Sequence, residues 1–215
     1  MVIHVREKII GFFLLALIFF VFKHFRKRPA MSLSADGPAS FSGPGVAYSS
    51  FPAGTPPSAP ALQAPLLPAL QHIRNTDPAF NESDFLTFAE ETFKRIQQSW
   101  GKRDWNGMRH LLSPEMSVLF QRDIDRLLTE KRINRIENIE IQGAEISDAL
   151  QDRGEDLITV KMAVHLNDYT VDEQTAQVLS GDPQVPVEFT ESWTFSRSIG
   201  ERNWVLAGIS QNSVQ

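Results

Sequence analysis

The chain has 215 residues, with 21 Lys and Arg against 26 Asp and Glu, and it contains no cysteine. The charge is unevenly spread, because residues 1–28 carry a net +5, residues 29–70 a net −1 and residues 71–215 a net −9. An acidic C-terminal region repels phosphate backbones, so the composition argues against nucleic-acid binding. The absence of cysteine excludes a disulfide framework, a thiolate metal site and a cysteine nucleophile.

An apolar run near the N-terminus, residues 9–22, reads IIGFFLLALIFFVF. As a helix it would be about 21 Å long, so it needs flanking residues to cross a hydrocarbon core of about 30 Å. A cleaved signal peptide is the competing interpretation, since its apolar core has about 7 to 15 residues. The following KHFRKR lacks the small neutral residues of a cleavage region, which favours a retained anchor over residues 1–28. The predicted single transmembrane helix contacts membrane lipid through Ile9, Phe12, Leu15, Phe19 and Phe22.

Basic residues on the two sides of this run predict its orientation. Arg6 and Lys8 precede the run, and four bases follow it: Lys23, Arg26, Lys27 and Arg28. By the positive-inside rule, the C-terminal side stays in the cytoplasm, or on the matrix side if the protein resides in a mitochondrion. We therefore predict a single-pass protein of the inner (cytoplasmic) membrane with its folded domain on the cytoplasmic side.

Residues 29–70 have the composition of a disordered linker. They hold nine of the thirteen prolines together with Gly, Ser and Ala, and they contain no Lys or Arg. Such a segment buries too little apolar surface to offset its ordering entropy. Near its end, leucines at close to helical spacing, interrupted by Pro65 and Pro68, indicate either a docking strip or the leading edge of the domain, and we favour the second.

Residues 71–215 are predicted to form one domain that begins with helices. Asn81 is a candidate cap for an amphipathic helix that continues to Trp100. A short helix is expected from Asp104 to about Leu112, and Ser113-Pro114 opens a third helix that runs to about Lys131.

After Arg132 the apolar residues recur at every second position, which is typical of strands. The pattern predicts four strands, with an irregularity near Gly143 in the first of them. Helices followed by antiparallel strands indicate an α+β fold, in which the helices pack on a curved, mainly antiparallel four-stranded sheet. We expect this arrangement to form a cone with room for a cavity.

Several short motifs recur in a fixed order along the C-terminal region. They are Asp77-Pro78-x-Phe80, Trp100 followed by Asp104, Leu111-Leu112-Ser113-Pro114-Glu115, Trp193-x-Phe195-x-Arg197, Trp204-x-Leu206 and Ile209-x-Gln211. Together they resemble the Tim forty-four-like domain, the C-terminal domain of the anchor subunit of the mitochondrial import motor, which also occurs in bacterial TimA-like membrane proteins. The resemblance covers about residues 70 to 212. The resemblance implies a cone fold like that of nuclear transport factor two.

The resemblance also implies a membrane-attached, non-enzymatic adaptor or scaffold that binds a protein partner. Protein translocation and membrane-complex assembly are the family context. The mitochondrial relatives carry a motor-recruiting region before this domain, whereas this chain has the predicted anchor and linker there. Two alternatives stay open: a small cone-fold enzyme or ligand-binding protein, and a secreted or periplasmic domain left after signal cleavage.

Glu191 is the candidate for an enzyme, because it shares strand parity with Phe189 and Trp193 and so places a carboxylate on an apolar face. The competing interpretation is that it pairs with an arginine or lies where the strand leaves the core. His165 is expected to face solvent. The five histidines show no metal-ligand spacing, and no cofactor is predicted.

A binding role draws on aromatic and apolar side chains of the first long helix and of the strands. Core packing is favoured for the helix aromatics, with partner contact as the alternative. In the predicted cavity, the strand residues are expected to contact a peptide or an acyl chain. The candidate binding residues are Phe85, Phe88, Phe93, Trp100, Val164, Phe189 and Trp193.

Overall fold

The computed structural model describes residues 66–211. The predicted anchor residues, the topology-determining bases and residues 29–65 of the predicted linker lie outside the described residues. In chain order, the described residues form four α-helices, one 3₁₀ turn and five strands.

The helices follow local capping signals. Helix α1 spans Leu66–Thr76, helix α2 spans Glu82–Gly101, helix α3 spans Trp105–Met108 and continues as a 3₁₀ turn over Arg109–Leu111, and helix α4 spans Pro114–Thr129. The side chain of Asn81 accepts a hydrogen bond from the backbone N–H of Asp84, and that of Ser113 accepts one from Met116. Each cap satisfies a donor that the first helical turn leaves without a partner. The predicted helix starts are confirmed.

Helix α1 begins inside the range assigned to the linker. Its Leu70 and Ile73 are buried, whereas Leu67 is 68% exposed. The side chain of Thr76, at its end, accepts a hydrogen bond from Gln151 on the sheet. The leucines at helical spacing thus lead into the domain, as the favoured interpretation holds.

The sheet has five strands where the sequence pattern predicts four. They are β1 (Arg132–Asp152), β2 (Glu155–Asp172), β3 (Val178–Gly181), β4 (Val187–Ser198) and β5 (Val205–Gln211). Their order is β1-β2-β4-β5, and β3 pairs with β2 beyond the end of β4; every pairing is antiparallel. Strand β3 escapes prediction because four residues are too few for an alternating pattern to emerge.

Three register shifts in β1 distort its pairing with β2. They fall between Glu137 and Glu140, between Ile141 and Gly143, and between Ile146 and Asp148. Bulges of this kind bend a strand and increase its twist. The predicted irregularity at Gly143 is confirmed, and the sheet remains open rather than closing into a barrel.

The core lies between the helices and one face of this sheet. Along β2, Ile158, Val160, Met162 and Val164 are buried at every second position, as the alternation predicts. Opposite them, the ring of Phe93 on α2 packs 4.8 Å from that of Trp193 on β4. Full burial of one such side chain contributes about 1.5 to 3 kcal/mol. The α+β class is therefore confirmed for the described domain.

Candidate functional site

Glu191 lies on the buried face of β4, between Phe189 and Trp193, and is 1% exposed. One carboxylate oxygen, Oε2, accepts a hydrogen bond from Trp193 Nε1 at 2.9 Å, and Oε1 accepts a long one from Gln211 Nε2 at 3.5 Å. Both donors are neutral. No Lys, Arg or His lies within 4.0 Å of its carboxylate among the residues that the structure describes. The alternative in which an arginine pairs with Glu191 does not hold within residues 66–211.

Burial raises the pKa of Glu191 above its usual value, because a charged carboxylate loses its hydration in the core. The hydrogen bonds from Trp193 and Gln211 oppose this shift in the pKa, and the negative charge of Asp168 adds to it. A protonated carboxyl group in an apolar setting can donate a proton or a hydrogen bond, so the site is chemically suited to either task.

Asp168 is a second carboxyl group with restricted access to water, near the end of β2. Its Oδ1 accepts a hydrogen bond from Asn134 Nδ2 at 2.7 Å, and Asn134 Oδ1 accepts one from the Trp100 indole at 2.9 Å. Burial raises the pKa of Asp168, and the Asn134 bond partly offsets that effect. Trp100 is one of the candidate binding residues. Its indole N–H, the only polar group of its side chain, donates to Asn134 and so helps to orient the Asn134 amide toward Asp168.

Arg197, at the other end of β4, is the centre of a buried ion-paired cluster. Its Nε donates to Asp156 Oδ2 at 2.9 Å and its Nη1 to Asp77 Oδ2 at 2.8 Å. The guanidinium carbon lies 4.4 Å from the centre of the Trp204 ring. We call Arg197, Asp77, Asp156 and Trp204 the arginine clasp. It joins the turn before α2 to strands β2 and β4 and to the residue that precedes β5, so its contacts hold these elements together.

The candidate binding residues fall into two groups. Five are buried in the core: Phe85, Phe93, Trp100, Val164 and Trp193. Two are partly exposed, Phe88 on α2 and Phe189 on β4. Phe85 makes edge contacts with Phe195 and with Trp204, at ring-centre distances of 5.8 and 4.9 Å. Core packing, the favoured interpretation, describes the helix aromatics other than Phe88.

The remaining polar candidates lie apart from Glu191. His165 is partly exposed on the opposite face of β2, where its Nδ1 lies 3.2 Å from Glu188 Oε1. Within the described residues there is no cluster of three or more His, Asp or Glu suited to a metal ion. An open groove of about 510 Å³ lies on the outer side of α4, away from Glu191. Its lining residues are Trp105, Ser117, Val118, Gln121, Arg122 and Asp125.

Comparison with known families gives a match over most of this domain. The model of the Tim44-like domain matches residues 68–211. The chain belongs to the Tim44-like domain family. No curated protein matches the chain.

Two solved structures show limited similarity to this Tim44-like chain. One is the intermembrane space region of the chloroplast protein ARC6, at 9% identity and a TM-score of 0.40, covering 60% of this chain and 97% of that one. The other is a periplasmic fragment of TraM, at 9% identity and a TM-score of 0.36, covering 62% of this chain and 99% of that one.

Several pieces of sequence that carry the family resemblance meet at or near the arginine clasp. Asp77 and Arg197 form its longer-range ion pair, and Phe80 packs 6.4 Å from Trp204 between ring centres. The Ser113 cap joins the same region, because its backbone N–H donates to the carbonyl oxygen of Leu206. Two other residues of the family pattern, Trp193 and Gln211, donate hydrogen bonds to the Glu191 carboxyl group instead.

None of the helices in residues 66–211 combines the length and the apolar character needed to cross a bilayer. The predicted anchor residues Ile9, Phe12, Leu15, Phe19 and Phe22, and the bases Lys23, Arg26, Lys27 and Arg28, lie outside that range.

Proposed function

We propose that this protein is a membrane-anchored, non-enzymatic adaptor whose Tim44-like domain binds a protein partner at the inner membrane. The observation that carries the proposal is the order of the chain, in which an apolar run with four bases after it precedes a Tim44-like domain. Residues 29–65, rich in proline, glycine and serine, have the composition of a flexible tether between the two. Family context suggests protein translocation or membrane-complex assembly.

The charge of the domain supports a protein partner over a lipid one. Residues 71–215 carry a net −9, so anionic headgroups repel the domain. Lipid contact is left to the N-terminal run, and the domain surface stays available for a partner.

Fractionation tests the anchor and its topology. The full chain is expected in the membrane fraction after alkaline extraction, and a chain lacking residues 1–28 in the soluble fraction. A reporter fused after Gln215 is expected to be active in the cytoplasm, because the four following bases hold that side inside. A mature protein whose mass lacks the N-terminal run would instead support the secreted or periplasmic alternative.

Crosslinking in cells tests the adaptor role. We expect the same set of crosslinked proteins with the wild-type chain and with Glu191→Gln, because an adaptor does not depend on a reacting carboxyl group. The Phe88→Ala chain serves as a surface comparison, since Phe88 is partly exposed on α2. If the Glu191→Gln chain failed to replace the wild-type chain in cells although it kept all crosslinked partners, the non-enzymatic assignment would be contradicted.

A second candidate function rests on Glu191 itself. A carboxyl group with 1% exposure and only neutral hydrogen-bond donors is costly to keep ionised, and such groups are frequent in catalytic and ligand sites. In this alternative the site receives a peptide or an acyl chain next to Phe189, or acts as an acid on a small substrate. A rise in melting temperature with such ligands, lost in Glu191→Gln, would favour it.

A further inference from the structure

A groove lined by helices α3 and α4 opens on the outer surface of the domain, with a volume of about 510 Å³. Its α4 residues Val118, Gln121, Arg122 and Asp125 recur at spacings of three and four, so they share one face of that helix. Val118 is 69% exposed. Helix α3 contributes the half-buried ring of Trp105. The groove therefore places an aromatic ring and an aliphatic side chain together at the surface.

The position of Trp105 is fixed by the packing of α3 against the end of α2. The backbone N–H of Asp104 donates to the carbonyl oxygen of Ser99 at 2.8 Å, and Asp104 Oδ1 accepts a hydrogen bond from the Gly107 N–H at 3.1 Å. A Cβ on Gly107 would lie 2.7 Å from Ser99 Oγ, so the glycine allows this close approach. The aromatic side of the groove is thus formed before any ligand binds.

The groove carries no net charge, although residues 71–215 carry a net −9. Arg122 and Asp125 supply one charge of each sign, and Gln121 Nε2 donates a hydrogen bond to Asp125 Oδ1 at 2.8 Å. Such a surface attracts neither a strongly acidic nor a strongly basic ligand. The Trp105 indole N–H and the second N–H of the Gln121 amide can donate to backbone carbonyl groups. These features suit an uncharged segment with apolar side chains and accessible carbonyl oxygens.

The chain itself contains such a segment before the domain. Residues 51–60 read FPAGTPPSAP, hold four prolines and no charged residue, and include the motif Pro57-Ser58-Ala59-Pro60. We call residues 51–60 the proline segment. Proline fixes φ at about −65°, which favours a polyproline II helix of about three residues per turn and places Pro57 and Pro60 on the same side. Grooves lined by aromatic rings bind segments of this kind.

The proline segment is close enough to α1 to reach the groove of its own domain. Pro57 precedes Leu66, the first residue of α1, by nine positions, which span at most about 30 to 32 Å when extended. A domain of the size of residues 66–211 has a radius of gyration of about 15 Å. A tether this short gives an effective concentration on the order of 1 mM, so a dissociation constant of about 1 mM is enough to fill the groove half of the time.

We propose that the proline segment binds in the groove of its own domain. Pro57 and Pro60 pack against Trp105 and Val118, and carbonyl groups of the segment accept hydrogen bonds from side chains of the groove. Binding shortens the free tether from residues 29–65 to residues 29–50, so its extended span falls from about 120–130 Å to about 70–80 Å. The contact thus sets how far the domain extends from the predicted anchor. This inference goes beyond the adaptor function and does not depend on it.

Crosslinking within the full chain tests the proposal, because the chain has no cysteine of its own. The full chain in neutral phosphatidylcholine nanodiscs carries Ser58→Cys in the proline segment and Ser117→Cys in the groove, and a short bismaleimide joins the two. The control pairs Ser58→Cys with Ser147→Cys, at an exposed position on β1. Each initial rate is divided by the reactivity of the domain cysteine toward N-ethylmaleimide. We expect the groove pair to react at least about tenfold faster than the control pair, and equal rates would overturn the proposal.

Two matched pairs of substitutions locate the contact on each side. Val118→Gln should lower the rate of the groove pair at least about threefold, because it removes the exposed aliphatic contact. Leu128→Gln makes the same kind of change at a 49% exposed position of α4 outside the groove and should leave the rate unchanged. In the linker, Pro57→Ala should lower the rate and Pro44→Ala should not. Equal effects within either pair of substitutions would contradict the assigned contact.

Mixing experiments distinguish the chain's own segment from that of a second copy. One chain carries Ser58→Cys, another carries Ser117→Cys, and the two are held in separate nanodiscs. We expect no crosslink between them above the Ser147→Cys control, and a rate equal to that within one chain would sink the proposal. The adaptor function fails separately, if crosslinked partners are absent from wild-type cells. Partners present in cells without a fast groove pair would contradict only the binding of the proline segment.

Discussion

Glu191 and Arg197 lie on the same face of strand β4, and both are buried, at 1% and 6% exposure, but their surroundings differ. Arg197 has two carboxylates and an aromatic ring around it, whereas Glu191 has two neutral donors. A buried charge with opposite charges beside it holds elements together, and a buried acid without a basic partner lowers the stability of the fold when it ionises. Arg197 therefore belongs to a cluster that stabilises the fold. Glu191 lowers the stability of the fold when it ionises, and buried acids of this kind are frequent at functional sites.

The largest effect is expected from removing the charge at the centre of the arginine clasp. Arg197→Met leaves Asp156, which is fully buried, without a cationic partner. We expect the free energy of unfolding to fall by about 3 to 5 kcal/mol, measured by urea denaturation. Arg202→Met, at an exposed position, serves as the control and should change stability by less than about 0.5 kcal/mol. Similar losses in both variants would mean that the clasp does not stabilise the domain.

The two carboxylates of the clasp should differ in importance. The Asp156 side chain is 0% exposed and also accepts a hydrogen bond from Gln151, whereas that of Asp77 is 28% exposed. Water replaces a lost partner more easily at Asp77. Asp156→Asn should therefore lower the free energy of unfolding by about 2 to 3 kcal/mol, and Asp77→Asn by about 1 kcal/mol. Thermal melts that rank the two variants in the reverse order would refute this account.

The sequence predicts the placement of Glu191 better than it predicts the partners of either β4 residue. Alternation along β4 puts Glu191 on the apolar face, because the side-chain period of a strand is a local property. Arg197 meets Asp77 across 120 residues of sequence and Asp156 across 41, and no local pattern encodes such pairs. The Asp77-Pro78 turn and the Trp193-x-Phe195-x-Arg197 strand were recognised only as separate pieces of a family pattern.

The helices show the same division between local and distant causes. Asn81 and Ser113 predict helix starts because each cap acts within three residues. Strand β3 is held by Gly181 and by pairing with Tyr169 to Val171, which the sequence before it does not indicate. Core packing of Trp100 is favoured by the helical pattern, but its hydrogen bond to Asn134, 34 residues away, is not indicated by any local pattern.

The pH dependence of the free energy of unfolding tests whether Glu191 lacks a charged partner. Its folded pKa is raised above the usual value of 4.5, so the folded state keeps a proton that the unfolded state gives up. This contribution to stability is complete below about pH 4.5 and is lost as the pH rises through the folded pKa. In Glu191→Gln this loss is absent, so we expect the variant to be more stable than the wild type at neutral pH, by a margin that shrinks toward pH 4.

Asp168 provides the comparison for that series, because burial also raises its pKa. The Asp168→Asn variant should keep most of the pH dependence that comes from Glu191, reduced by the loss of the negative charge that helps to raise the pKa of Glu191, and the double variant should have the flattest profile. Chemical denaturation at several pH values measures each profile. A wild-type profile between pH 4.5 and neutral that matches that of Glu191→Gln would contradict a raised pKa at Glu191.

The smallest effects should come from the two neutral donors of Glu191, and their order follows from bond length. Trp193 Nε1 donates at 2.9 Å, whereas Gln211 Nε2 donates at 3.5 Å, near the limit of a hydrogen bond. Gln211→Leu should therefore change the free energy of unfolding by less than about 0.5 kcal/mol, and Trp193→Phe by more, since it also leaves a small cavity in the core.

Stability alone does not isolate the hydrogen bond, so the pKa of Glu191 is the decisive measurement. Carboxyl ¹³C NMR titration should show a higher pKa in Trp193→Phe than in Gln211→Leu, because the stronger donor stabilises the ionised form more. An unchanged pKa in Trp193→Phe would mean that burial alone sets the protonation of Glu191.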